Sequence, residues 1–105
     1  MNRTLIEQLH QIAKQYPEIH AVLLFGSRAY GDFSDVSDID LAIKAPQLSP
    51  GKWLSLVEEI EEGLDTLLKI DVVLYEEATK ALRLQIDKCN KILYPSENQN
   101  KKTKS

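Results

Sequence analysis

The chain has 105 residues, enough for one domain with a real core and too few for several. Its hydrophobic fraction of 43% and charged fraction of 28% are ordinary for a globular fold, and no apolar run approaches the roughly 20 residues of a membrane-spanning helix. A net charge of −3, with the basic cluster confined to the terminal "KKTKS", excludes the broad basic face that grips long DNA or RNA.

Leu5, Ile6, Leu9, Ile12, Ala13 and Tyr16 recur at steps of three and four, which predicts an amphipathic helix over residues 3–16, stopped by Pro17. "IHAVLLF" reads as a short buried strand ending at Gly26. A polar loop follows, with a helical turn expected near residues 27–30. "DIDLAIKA" then alternates: Ile39, Leu41 and Ile43 on one face, Asp38, Asp40, Ala42 and Lys44 on the other. Ser49-Pro50 opens a second helix, with serine as cap and proline at the first helical position. Trp53, Val57, Ile60, Leu64 and Leu67 mark about sixteen residues of it. "KIDVVLY" alternates again, setting Ile70, Val72 and Leu74 opposite Asp71, Val73 and Tyr75. A last helix is expected over residues 77–88, and "KILY" as a short edge strand. Trp53 and Cys89 read as core residues.

The folded domain is expected to span residues 1–95. Residues 96–105, "SENQNKKTKS", hold no apolar side chain and read as a disordered tail. The N-terminus is amphipathic and interrupted by charge, unlike a signal peptide. A single cysteine cannot form an internal disulfide. The expectation is a soluble cytoplasmic protein, with no membrane and no long nucleic acid among its partners.

The order helix, strand, loop, strand, helix, strand, helix implies an α/β (α+β) fold: a small mixed β-sheet with helices packed on one face. The apolar sets of the strands belong against those helices. Asp38, Asp40 and Asp71 then gather on the opposite face.

Asp38 and Asp40, two apart on a strand, leave the same side with backbones about 6.5–7 Å apart. Their charges repel, by roughly 3–4 kcal/mol when the oxygens come within about 4–5 Å at an effective dielectric near 20. Such acids are either splayed in solvent or held by a cation. Mg²⁺ is the natural candidate, since it takes carboxylate oxygen, water and phosphate. Two such ions about 3.5–4 Å apart would clamp a phosphoryl-type displacement. Gly26 lets backbone N–H groups approach a ligand, Ser27 adds a hydroxyl, and Arg28 is placed to reach a phosphate or a loop acid. Asp-x-Asp alone is a weak signal, because Asp and Ser also populate turns. Asp32 and Asp35 read as solvated loop acids, and Tyr30 and Phe33 as loop packing. His10 and His20 lack ligand-spaced partners.

Taken together, Gly26-Ser27, the ten residues to Ser37, and Asp38-Ile39-Asp40, with Asp71 downstream in "IDVV", resemble the signature of the nucleotidyltransferase superfamily typified by DNA polymerase β. The likeness is to its minimal nucleotidyltransferase (MNT) domain and covers residues 3–94. It implies transfer of a nucleoside monophosphate from a Mg²⁺-bound nucleoside triphosphate, with ATP the expected donor. Asp38, Asp40 and Asp71 would be the catalytic, metal-holding acids; Gly26, Ser27 and Arg28 would bind the triphosphate. It further implies an antitoxin paired with a helical HEPN toxin, in a hetero-oligomer, that attaches AMP to that partner. Two alternatives stay open: a nucleotide-binding module that neutralises its partner by contact, and an antibiotic-type nucleotidyltransferase subunit acting on a small molecule.

Overall fold

The computed structural model describes residues 3–26 and 38–95. In chain order these form α1 (Arg3–Ala13), β1 (Ala21–Phe25), β2 (Ile39–Lys44), α2 (Pro50–Gly63), β3 (Ile70–Leu74), a 3₁₀ turn (Tyr75–Glu77), α3 (Lys80–Lys88) and β4 (Asn90–Tyr94). The strands make a mixed sheet in the order β3-β2-β1-β4. β1 is antiparallel to both β2 and β4, and β2 is parallel to β3. A parallel pair needs a crossover connection, and α2 supplies it. The expected loop turn at residues 27–30 and the tail at residues 96–105 lie outside the described residues. Among the described residues no helix is long and apolar enough to cross a membrane.

α1 and α2 cover one face of the sheet. Leu5, Leu9 and Ile12 of α1 and Leu56 and Ile60 of α2 enclose Val22, Leu24, Ile39, Leu41, Ile43 and Ile70. Burying each such aliphatic side chain contributes about 1.5–3 kcal/mol, so this layer holds most of the stability. The period-two patterns of β2 and β3 put their apolar sets here, as expected.

The placement of α3 corrects the expectation of helices on one face. Leu82 and Ile86 of α3 pack on Leu23, Phe25, Ala42, Val73 and Tyr75, on the opposite side of the sheet. The cause lies in β1, which is apolar on both faces and would otherwise leave Leu23 and Phe25 in water. Tyr75 also donates its hydroxyl to Asp87 of α3, at 2.8 and 2.9 Å from the two carboxylate oxygens.

The helix ends follow their capping residues. The Ser49 hydroxyl accepts from Lys52 N–H with Pro50 in the first turn, as read from the sequence. α2 stops at Gly63 rather than reaching Leu67, and Leu67 is fully exposed. A Cβ at Gly63 would meet Ile12 Cδ1 at 3.0 Å, so the bare glycine lets α1 approach. The next residue, Leu64, is extended and turns into the core. α3 begins at Lys80, later than expected, because the Thr79 hydroxyl caps it by accepting from Leu82 N–H at 3.1 Å. Trp53 is half-buried against the main core. Cys89 caps the C-terminus of α3 and is half-buried rather than a core side chain.

His10 has a structural task. Its Nε2 lies 2.5 Å from the Leu93 carbonyl, an acceptor, so that nitrogen carries the proton. The contact ties α1 to β4 where the β1–β4 register shifts, and the His10 ring meets Tyr94 edge-on at 5.4 Å.

Candidate active site

One rung of the sheet crosses all four strands: Asn90, Phe25, Asp40 and Asp71 are successive register partners. Directly paired residues project on the same side of a sheet. Asp40 and Asp71 therefore stand on the α3 side, in the same alternation as Ala42 and Val73. Asp38 is exposed and immediately precedes β2. The structure thus brings together Asp40 and Asp71, with Asp38 two residues ahead of Asp40.

Gly26 closes the other side of Asp40. Its φ is +79°, a left-handed conformation that glycine takes without steric cost. A Cβ built there would stand 2.5 Å from Asp40 Oδ2. The glycine therefore makes room for a carboxylate, a role beyond the expected backbone approach to a ligand. Ser27 and Arg28, the other residues predicted to contact phosphate, lie outside the described residues, as do Tyr30, Asp32, Phe33 and Asp35.

The surroundings of Asp40 disfavour its charge. Burial raises its pKa above the ordinary 3.8, and the charges of Asp71 and Asp38 raise it further, while Lys69 opposes them. Phe25, only 7% exposed and the rung neighbour of Asp40, supplies apolar cover on one side. Lys69 Nζ lies 3.8 Å from Asp71 Oδ1. Asn90 Nδ2 donates to the Ile86 carbonyl at 2.8 Å, securing the end of α3 beside the rung.

Phe25, Lys69 and Asn90 were not singled out in the sequence. Lys69 carried a visible signal, a cation two residues ahead of Asp71 in "KID". Phe25 and Asn90 join the site only through strand pairing. Among the described residues no three His, Cys, Asp or Glu side chains are grouped tightly enough to hold a metal ion as they stand. The rung does collect carboxylate oxygens whose repulsion is only partly offset, a donor set of the kind a hard divalent cation takes.

The fold matches solved structures. A variant of the MntA–HpeT toxin–antitoxin superposes with a TM-score of 0.70 at 20% identity, over 96% of this chain and 79% of that one. A toxin–antitoxin structure with AMP-PNP gives 0.69 at 23%, over 91% and 77%. A tri-AMPylated Shewanella oneidensis HEPN toxin in complex with its MNT antitoxin gives 0.68 at 21%, over 96% and 78%. At these identities the likeness establishes the fold. No curated protein matches the chain. The family model of polymerase beta nucleotidyltransferases matches residues 7–99, across the acid rung and both layers of the fold, and the chain belongs to that family.

Proposed function

We propose that this chain transfers AMP from ATP to a partner protein and acts as the antitoxin of a HEPN toxin. The observation that carries the reading is the rung pairing of Asp40 with Asp71, with Asp38 two residues ahead and Gly26 fitted against the Asp40 carboxylate. Support for the partner comes from the fold relatives, which are described as toxin–antitoxin complexes, one with AMP-PNP and one with a tri-AMPylated HEPN toxin.

In this reading Asp38, Asp40 and Asp71 would hold Mg²⁺, in one or two ions. Bound there, the metal would supply charge stabilisation for the phosphoryl oxygens and the attacking oxygen. Asp38 is exposed and the Asp71 side chain is 46% exposed, so both have room to rotate toward a shared ion. Gly26 leaves room for the Asp40 carboxylate, and Ser27 and Arg28 would meet the triphosphate. The acceptor hydroxyl oxygen bonds to the α-phosphorus, the bond to the α–β bridging oxygen breaks so that pyrophosphate leaves, and the hydroxyl proton passes to solvent water. Residues 1–95 would form the catalytic unit, with residues 96–105 a polar tail.

Purified chain, α-labelled ATP, Mg²⁺ and the helical partner should yield label on the partner. An Asp38→Asn/Asp40→Asn double variant should yield none and should fail to protect cells from the toxin. Absence of label with folded wild-type protein would overturn the transferase reading. Protection by the double variant would show that the partner is neutralised by contact.

A further inference from the structure

The main chain of Lys69 is fixed beside the acids. Its carbonyl accepts a 2.9 Å hydrogen bond from the N–H of Ile39, the residue between Asp38 and Asp40. Its ammonium reaches Asp71 Oδ1 at 3.8 Å. The side chain is 71% exposed, which leaves it free to depart. Among the described residues Lys69 forms the ion pair made to this acid set. The backbone thus delivers a cation to the rung on an exposed stem.

We propose that Lys69 is the resident counter-cation of the Asp38, Asp40 and Asp71 set, and that a divalent ion entering there competes with its ammonium for Asp71. The inference rests on the metal-holding role proposed above. The physical argument is mutual exclusion. A carboxylate oxygen that faces an ammonium can also meet a divalent ion only by bringing two like charges together. Without metal, Lys69 relieves the repulsion among three acids; with metal, the same charge opposes binding. The pair is weak in itself, as exposed ion pairs are, so a divalent ion can displace it. The lysine therefore lowers the affinity of the site and offsets part of the acid repulsion in the metal-free fold.

The test is Mn²⁺ binding by calorimetry on the full chain, comparing wild type with Lys69→Met and Lys69→Arg. Met keeps an apolar stem and removes the charge; Arg keeps the charge. Lys69→Met should bind Mn²⁺ about three- to tenfold tighter at low salt, with the gain shrinking as ionic strength rises. Lys69→Arg should stay within about twofold of wild type. The metal-free melting temperature of Lys69→Met should fall. Equal or weaker Mn²⁺ binding by a folded Lys69→Met, with wild type binding normally, would overturn the role of Lys69 and leave the metal site intact. No Mn²⁺ binding by wild type would remove both.

Discussion

Asp40 and Asp71 are direct partners across the parallel pairing of β2 and β3, and Asp40 is also the partner of Phe25 across the antiparallel pairing with β1. Asp40 thus has an apolar residue as its rung neighbour on one side and a second acid on the other. Its pKa is raised by burial first, then by Asp71 and Asp38. In the folded chain Asp40 holds its proton more tightly than in the unfolded chain. Folding is therefore penalised once pH rises above the ordinary value of 3.8 and through the raised one. Without metal, Asp40→Asn should melt higher than wild type at pH 7. The advantage should vanish below about pH 4, where the acid is protonated in both states. Thermal melts across pH in the presence of a chelator check this, and a wild type that stays more stable than the variant at neutral pH would refute it.

Gly26→Ala should damage both fold and site. Its φ of +79° strains any L side chain, and the added Cβ would stand 2.5 Å from Asp40 Oδ2. The backbone term costs about 1–2 kcal/mol, and relief of the clash must move Asp40. A denaturant midpoint reads the first effect, and nucleotide-transfer rate reads the second. A variant with wild-type values of both would show that neither the conformation nor the fit matters.

Tyr16 follows the end of α1, is 8% exposed, and donates its hydroxyl to Glu59 of α2. Burial first, then the hydrogen bond and the charge of Glu59, together push its pKa up to about 12. The unfolded chain ionises this tyrosine first, so stability is complete below its ordinary 10.0 and declines from there to about 12. Tyr16→Phe should cost about 1–2 kcal/mol at pH 7, the partial exposure of Glu59 holding it in the lower range for a bond to a charged acceptor. The variant should also lose part of the alkaline sensitivity. Urea titrations at pH 7 and pH 11 measure both.

Ile86 and Leu56 are both fully buried, on opposite faces of the sheet. Truncating either to alanine should cost about 2–5 kcal/mol. Only Ile86→Ala loosens α3 over Phe25, the rung neighbour of Asp40. The pKa of Asp40 should therefore move back toward its ordinary value in Ile86→Ala and stay in place in Leu56→Ala. Carboxyl NMR titration distinguishes them, and equal behaviour would detach α3 from the site.

The alternation of β2 and β3 made their faces legible, because a period of two puts Ile39, Leu41 and Ile43 on one face and Asp40 on the other. Ser49-Pro50 declared a helix start for the same local reason. The extent of α2 is not legible locally, because Leu67 continues a helical spacing whereas the helix stops at Gly63 and Leu64 turns extended into the core. The side taken by α3 is legible only in β1: Ala21 to Phe25 is apolar without alternation, as in a strand covered on both faces.

Local chemistry alone determined which residues form strands, which side chains are acids on an alternating face, and the glycine that ends β1; these depend on spacing along one segment. Tertiary pairing decided that Asp71 stands beside Asp40 and not one rung away, and that Phe25 is the neighbour of Asp40 on the other side. Those relations join positions 31 and 15 residues apart along the chain. The reason is register: sliding a strand by one residue leaves its own pattern unchanged along the chain but turns every side chain to the opposite face of the sheet.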